Sequence, residues 1–155
     1  MKLRKKILFG LGAVVVAMQF FRPSKNIARD PSSDGSKIGQ FFAPQDVQNI
    51  LQAACYDCHS GSTRYPWYAE IEPVGWWLAD HVIDGKAVLD FSNFRALSAR
   101  EASRLLDACV DAINHDTMPP ASYRLMHADA RLSNEQKTLL TAWLQDVSEK
   151  ISTGK

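Results

Sequence analysis

The chain has 155 residues, of which 46% are hydrophobic and 23% charged, with a formal net charge of +1. That size and balance fit one small globular domain with short accessory segments and a single core, and they exclude a disordered chain. They also leave no strongly basic footprint of the kind nucleic acid requires.

Four of the 18 basic residues, Lys2, Arg4, Lys5 and Lys6, crowd the first six positions, whereas all 17 acidic residues lie beyond position 21. The apolar run "ILFGLGAVVVAM" follows the cations. A positive head before a short apolar stretch is the pattern of a secretory signal or membrane anchor, so residues 1–21 are expected to bring the body to the periplasmic side of a bacterial cytoplasmic membrane. Val15 and Ala17 offer a small-residue cleavage site. The apolar run resumes at Phe20 and Phe21, however, which favours an uncleaved anchor of about fifteen apolar residues, slightly short of a comfortable span. Residues 22–42, with "RPSKNIARDPSSDGSKIGQ", lack the large apolar side chains that would repay ordering, and they read as a flexible linker. Residues 43–150 form the body.

From Pro44, the residues Val47, Ile50, Leu51 and Ala54 recur at helical spacing and predict a helix running directly into Cys55. The stretch "GSTRYPWYAEIEP" reads as an extended, aromatic loop, since the residue before each proline is pushed out of helical geometry. A second helix is expected from the stripe Val74, Trp77, Leu78, His81 and Val82, ending at Gly85 as its C-cap. A third opens with Ser98 and Glu101 at capping-box spacing and carries Ala102, Leu105, Leu106, Cys109, Val110 and Ile113. The fourth opens with Ser133 and Gln136 and continues through Leu140, Trp143, Leu144 and Val147. No alternating strand is visible, so the body is expected to be all-α.

Two of the three cysteines stand in "AACYDCHSGS", two residues apart and followed at once by a histidine. C-x-x-C-H is the covalent haem c attachment signature. Two thiols about one helical turn apart can add across the two vinyl groups on one porphyrin edge, and the adjacent imidazole then falls under the iron. Cys55, Cys58 and His59 are therefore the expected attachment and proximal-ligand residues of one haem per chain. A closed zinc site would need a fourth ligand and usually a second pair at similar spacing. A thioredoxin-like dithiol needs a βαβ setting, and a plain disulfide gives no reason for the histidine. Vicinal thiols in an exported chain would oxidise unless something consumes them, and haem attachment does so.

The sixth ligand is expected from Met118 in "DTMPPASY". Pro119 keeps Met118 out of helical geometry, and the two consecutive prolines stiffen the segment beyond it. A rigidly presented thioether keeps its place as the iron changes oxidation state, and Met/His ligation raises the haem potential. His81, on the second helix's stripe, ranks second, and an open site third. His115 reads as a helix-terminal cation, and Cys109 as a small buried residue. Tyr65, Trp67, Tyr68, Trp76 and Trp77 are candidates for a haem-pocket wall. Arg64 and Arg124 read either as propionate partners or as surface cations.

The stretches "CYDCHSGSTRYPWYAEIEPVGWWLADHV", "LDFSNF" and "MPPASYRLMHADARLSNEQKTLLTAW" resemble the cytochrome c-like haem-binding domain of bacterial exported and membrane-anchored proteins. Together they cover most of the chain from Ala43 to Val147. The resemblance implies a small helical cytochrome c-type fold with haem on Cys55 and Cys58, His59 as proximal ligand and Met118 as distal ligand. It supplies no defined partner or pathway. The expected function is that of a membrane-tethered periplasmic electron carrier without catalysis, serving a redox partner protein. The alternatives are a haem enzyme or sensor whose distal face opens to peroxide or a diatomic gas, and a zinc-binding interaction module.

Overall fold

The computed structural model describes residues 2–27 and 43–154, and among these every regular element is helical. An N-terminal helix α1, Lys2–Met18, precedes the body. The body contains α2 (Gln45–Ala54), the single turn α3 (Tyr56–His59), α4 (Val74–Val88), α5 (Ala99–Asn114), α6 (Ala121–Met126) and α7 (Asn134–Thr153). Short 3₁₀ turns at Trp67–Glu70, Phe91–Ala96 and Ala128–Ala130 link them.

The core lies where α5 and α7 pack together and α2 closes one side. Ala102, Leu106, Val110 and Ile113 of α5 share one apolar cluster with Leu140, Trp143, Leu144 and Val147 of α7 and with Val47, Ile50 and Leu51 of α2. Burying one such aliphatic side chain stabilises the fold by about 1.5–3 kcal/mol. A buried polar contact pins the two long helices as well, because Ser148 Oγ lies 2.6 Å from Ser103 Oγ and donates to Asp107 Oδ1 at 2.9 Å. Both helix starts agree with the sequence expectation. Ser98 Oγ accepts the Glu101 N–H, and Ser133 with Gln136 forms the complete reciprocal capping box.

α4 departs from expectation in two ways. Gly85 is not its C-cap, since the helix continues to Val88 and Leu89 occupies that position. Nor is its apolar stripe buried as a unit: Val82 is buried, but Val74 and Trp77 are 37% and 46% exposed. The face that α4 turns to its neighbours carries Gly75 and Gly85. A Cβ on Gly85 would sit 2.8 Å from the Cys58 carbonyl oxygen, so the missing side chain lets α4 pass close over α3.

At the N-terminal side, α1 exposes its apolar side chains, including Leu8, Phe9, Leu11 and Val16. Its 17 residues rise roughly 25 Å against a hydrocarbon core of about 30 Å. Among the described residues no helix is long and apolar enough to cross a membrane. The chain beyond α1 is bound to the body. Gln19 exchanges hydrogen bonds with the backbone of Glu72, and Phe21 O accepts from Trp76 Nε1 at 2.6 Å. Arg22 and Lys25 both pair with Glu70. Asn26 Nδ2 donates to Ser60 O and to Thr63 Oγ1, each at 2.9 Å. Residues 22–27, read from composition as the start of a linker, thus run along the body surface, while the rest of that expected linker, 28–42, lies outside the described residues.

Candidate functional site

The C-x-x-C-H motif forms its own turn because Cys55 interrupts the helix. Its N–H still closes α2 on Leu51 O at 2.9 Å, but its backbone is non-helical, and α3 begins one residue later. The His59 N–H then returns to Cys55 O at 3.0 Å. This single turn brings Cys55, Cys58 and His59 together on the lining of one cavity. Ser60, extended and fully buried, ends the turn, with its Oγ donating to Tyr56 O at 2.7 Å.

The orientation of His59 is set from α4. Where α4 ends, the Leu89 carbonyl accepts from His59 Nδ1 at 3.0 Å. A carbonyl only accepts, so Nδ1 carries a proton, and in the neutral ring Nε2 then keeps its lone pair. This is the tautomer that binds a metal through Nε2. The Phe91 ring stands edge-on to the imidazole, with centroids 6.3 Å apart. The "LDFSNF" stretch therefore fixes the histidine through one backbone oxygen and one ring.

Two cavities meet at this histidine. One is walled mainly by aliphatic side chains, with Leu51, Leu105, Leu132 and Leu140 among them. The other is bounded by Cys58, His81, Asp84, Gly85 and Tyr123. Ala54, Cys55, His59, Val88 and Met118 line both. A large, flat, apolar group with one polar axis fits such a place: greasy walls, two thiols on one turn and an oriented imidazole.

Met118 reaches these cavities from a non-helical segment after α5. Its N–H is held by Ala112 O at 3.3 Å, and the residue is 42% exposed. His81 lines the second cavity too, with Nδ1 donating to Trp77 O at 2.9 Å and its ring 4.2 Å from the Trp77 ring. His115 caps α5 and donates from Nδ1 to Asp111 O at 2.8 Å, the helix-terminal place expected for it.

Burial raises all three thiols. Cys55 is pushed up to about 12, first by burial and then by Cys109 and Cys58. Cys58 rises to about 11 by burial and the neighbouring Asp57. Cys109 rises to about 11 by burial alone. These groups stay S–H at neutral pH, whereas a reactive dithiol requires thiolates. Among the described residues no three His, Cys, Asp or Glu side chains are grouped to hold a metal ion, so the zinc-module expectation finds no site. The cysteines are not joined to one another.

Several expectations need correction. Cys109 is only partly buried and lines the aliphatic cavity. Tyr65, Trp67, Tyr68, Trp76 and Trp77 line neither cavity beside His59, and Trp67 is largely exposed. The apolar wall is aliphatic because α2, α5 and α7 supply it. Arg64 is committed elsewhere, donating from Nε and Nη2 to the two oxygens of Asp57, both at 3.1 Å. Arg124 donates from Nη2 to Asp116 O at 3.5 Å on the exposed surface, in line with its surface-cation reading.

Asp57, between the two cysteines, was not singled out from sequence. It is only 5% exposed and gathers the Arg64 N–H, the Arg64 guanidinium and the Tyr123 hydroxyl, the last at 2.6 Å. An acidic residue between the two motif cysteines was the available signal, since a buried carboxylate must be compensated. Nothing in sequence marked Tyr123 as its partner.

A family model described as a haem-binding domain matches residues 13–146, from within α1 through most of α7. No curated protein and no solved structure gives a match to this chain. With an oriented imidazole and two thiols on an apolar cavity, and with that match across most of its length, the chain belongs to the haem-binding domain family.

Proposed function

We propose that the chain carries one covalent haem c in a cytochrome c-like domain and works as a one-electron carrier on the periplasmic side of the bacterial membrane. Cys55 and Cys58 would hold the porphyrin by thioether bonds, His59 Nε2 would be the proximal iron ligand, and Met118 the distal one. The haem supplies a reversible one-electron couple. The chain's own part is to orient the imidazole through Leu89 O, to exclude water with the leucine wall, and to present a thioether from the segment before Pro119. No substrate bond changes, so the protein is a carrier and not an enzyme. The cationic, apolar head, 1–21, is the proposed export signal or tether, and the partner is another redox protein.

The observation that carries this reading is the hydrogen bond from His59 Nδ1 to Leu89 O at 3.0 Å. It leaves Nε2 free on the cavity into which both motif thiols open. Full-length protein matured in a host able to build c-type cytochromes is expected to stain for haem on a denaturing gel and to give the pyridine haemochrome of a doubly thioether-linked porphyrin. The Cys55→Ala, Cys58→Ala double variant is expected to lose that covalent haem. Wild-type protein with the mass of the bare chain would overturn the reading.

The exposure of Met118 on its loop favours one second reading, a haem enzyme or sensor whose distal side admits peroxide or a diatomic gas. A six-coordinate low-spin ferric spectrum indifferent to carbon monoxide after reduction supports the carrier. A high-spin spectrum that shifts with carbon monoxide or cyanide supports the alternative.

A further inference from the structure

Met118 stands between two anchors of different kind. On its N-terminal side the segment is tied to α5, where Ala112 O accepts the Met118 N–H at 3.3 Å and the Thr117 N–H and Oγ1 at 3.0 Å each. On its C-terminal side the tie runs to the attachment motif itself. Tyr123, on α6, donates its hydroxyl to Asp57 Oδ2 at 2.6 Å and approaches Ala53 O at 3.3 Å. The tyrosine is braced from behind, because the His127 ring stacks on it with centroids 4.0 Å apart and an interplanar angle of 17°. Asp57 is braced in turn by the Arg64 guanidinium.

We propose that Asp57 and Tyr123 are positioning residues which latch the Met118-bearing segment to the turn that carries Cys55, Cys58 and His59. A ligand loop on one side of a cavity must hold its distance from the ligand on the other. Among the described residues no backbone hydrogen bond joins α6 to α3, and the Tyr123–Asp57 bond links the two directly. A phenol donating to a buried carboxylate suits the task, because hydrogen bonds to charged groups are stronger than neutral ones and depend on geometry. In keeping with this contact, the Tyr123 hydroxyl is held well above the usual phenol range, by burial and then by Asp57. Loss of the latch raises the population of a state in which the segment stands away from the turn, and an external ligand then competes more easily for the distal side.

The latch rests on the haem reading for its consequence but not for its existence, and the test separates the two. Tyr123→Phe keeps the ring and its stack on His127 while deleting the donor. Two measurements on full-length matured protein are compared between wild type and variant: imidazole affinity of the ferric form, and amide hydrogen exchange. The variant is expected to retain covalent haem, to bind imidazole about tenfold more tightly, and to exchange faster only across residues 117–127. Asp57→Asn, which keeps an acceptor, is expected to fall between wild type and Tyr123→Phe. Unchanged imidazole affinity with unchanged exchange would overturn the latch, and so would acceleration spread evenly over α5 and α7, which marks general loosening. If the wild type carries no haem, the functional proposal fails, and exchange across 117–127 alone decides the latch.

Discussion

α5 and α4 show the same kind of apolar stripe in sequence and use it in opposite ways. On α5, Ala102, Leu106, Val110 and Ile113 are all buried against α2 and α7. On α4 only Gly75 and Val82 are buried, while Val74, Trp77 and Val88 stay exposed. The difference lies in what each helix packs on. α5 has a 20-residue partner in α7, long enough to cover a full face. α4 packs on the single turn α3 and a 3₁₀ turn, which leave room for backbone contact through glycine but cover little of a side-chain stripe. The uncovered part of α4 instead borders the cavities, through His81 and Val88. Helical periodicity therefore identifies an apolar face without saying whether protein or cofactor covers it.

Three substitutions test that contrast. The largest effect is expected for Leu106→Ala, since Leu106 is fully buried at the centre of the α5–α7 contact. Deleting such a side chain costs about 3 kcal/mol through lost burial and the cavity left behind. Denaturant unfolding should show it as a lower midpoint at unchanged slope, and a loss below about 1 kcal/mol would remove α5–α7 from the role of core. Gly85→Ala comes next. Alanine is the better helix former by about 1 kcal/mol, yet its Cβ would meet the Cys58 carbonyl at 2.8 Å. A backbone atom on a turn tied down by Asp57 cannot swing aside, so crowding wins, with a net loss of about 1–2 kcal/mol. A reduced yield of covalent haem should accompany it. A stabilised variant would show that α4 and α3 are not in close contact.

The sequence made α5, α7 and both capped starts readable, though not their packing on each other, because capping boxes and four-residue spacings are local signals. It also made the grouping of Cys55, Cys58 and His59 readable, since they stand close in the chain and meet at one turn. What it hid were contacts made at a distance. Leu89 O orients His59 across thirty residues, and Tyr123 meets Asp57 across sixty-six. A backbone carbonyl has no side-chain signature, and a tyrosine just beyond a proline-rich turn looks like any other. The aromatic loop misled for a related reason. Its rings were near the motif in sequence, but Tyr65 accepts from the Asn26 N–H, and Trp76 at the start of α4 likewise donates to Phe21 O, both on residues 19–27. Gly85 misled because one residue type serves two purposes: helix ends and close helix approach both favour glycine.

Val88→Ala carries the smallest expected effect and the sharpest meaning. Val88 is 67% exposed and lines both cavities, so in the Cys55→Ala, Cys58→Ala background it packs on little, and the substitution should change stability by no more than about 0.5 kcal/mol. In matured protein the proposed cofactor would cover it. Two methyl groups removed from such a contact should then cost about 1 kcal/mol. The informative quantity is the difference between the two backgrounds, because effects of α4 on its own fold are common to both and cancel. Equal effects in both would mean that the exposed stripe of α4 faces solvent throughout, and the contrast with α5 would then be one of burial alone. A loss confined to matured protein would mean that α5 buries its stripe against its own chain, and α4 the cavity end of its stripe, at Val88, against what the chain holds.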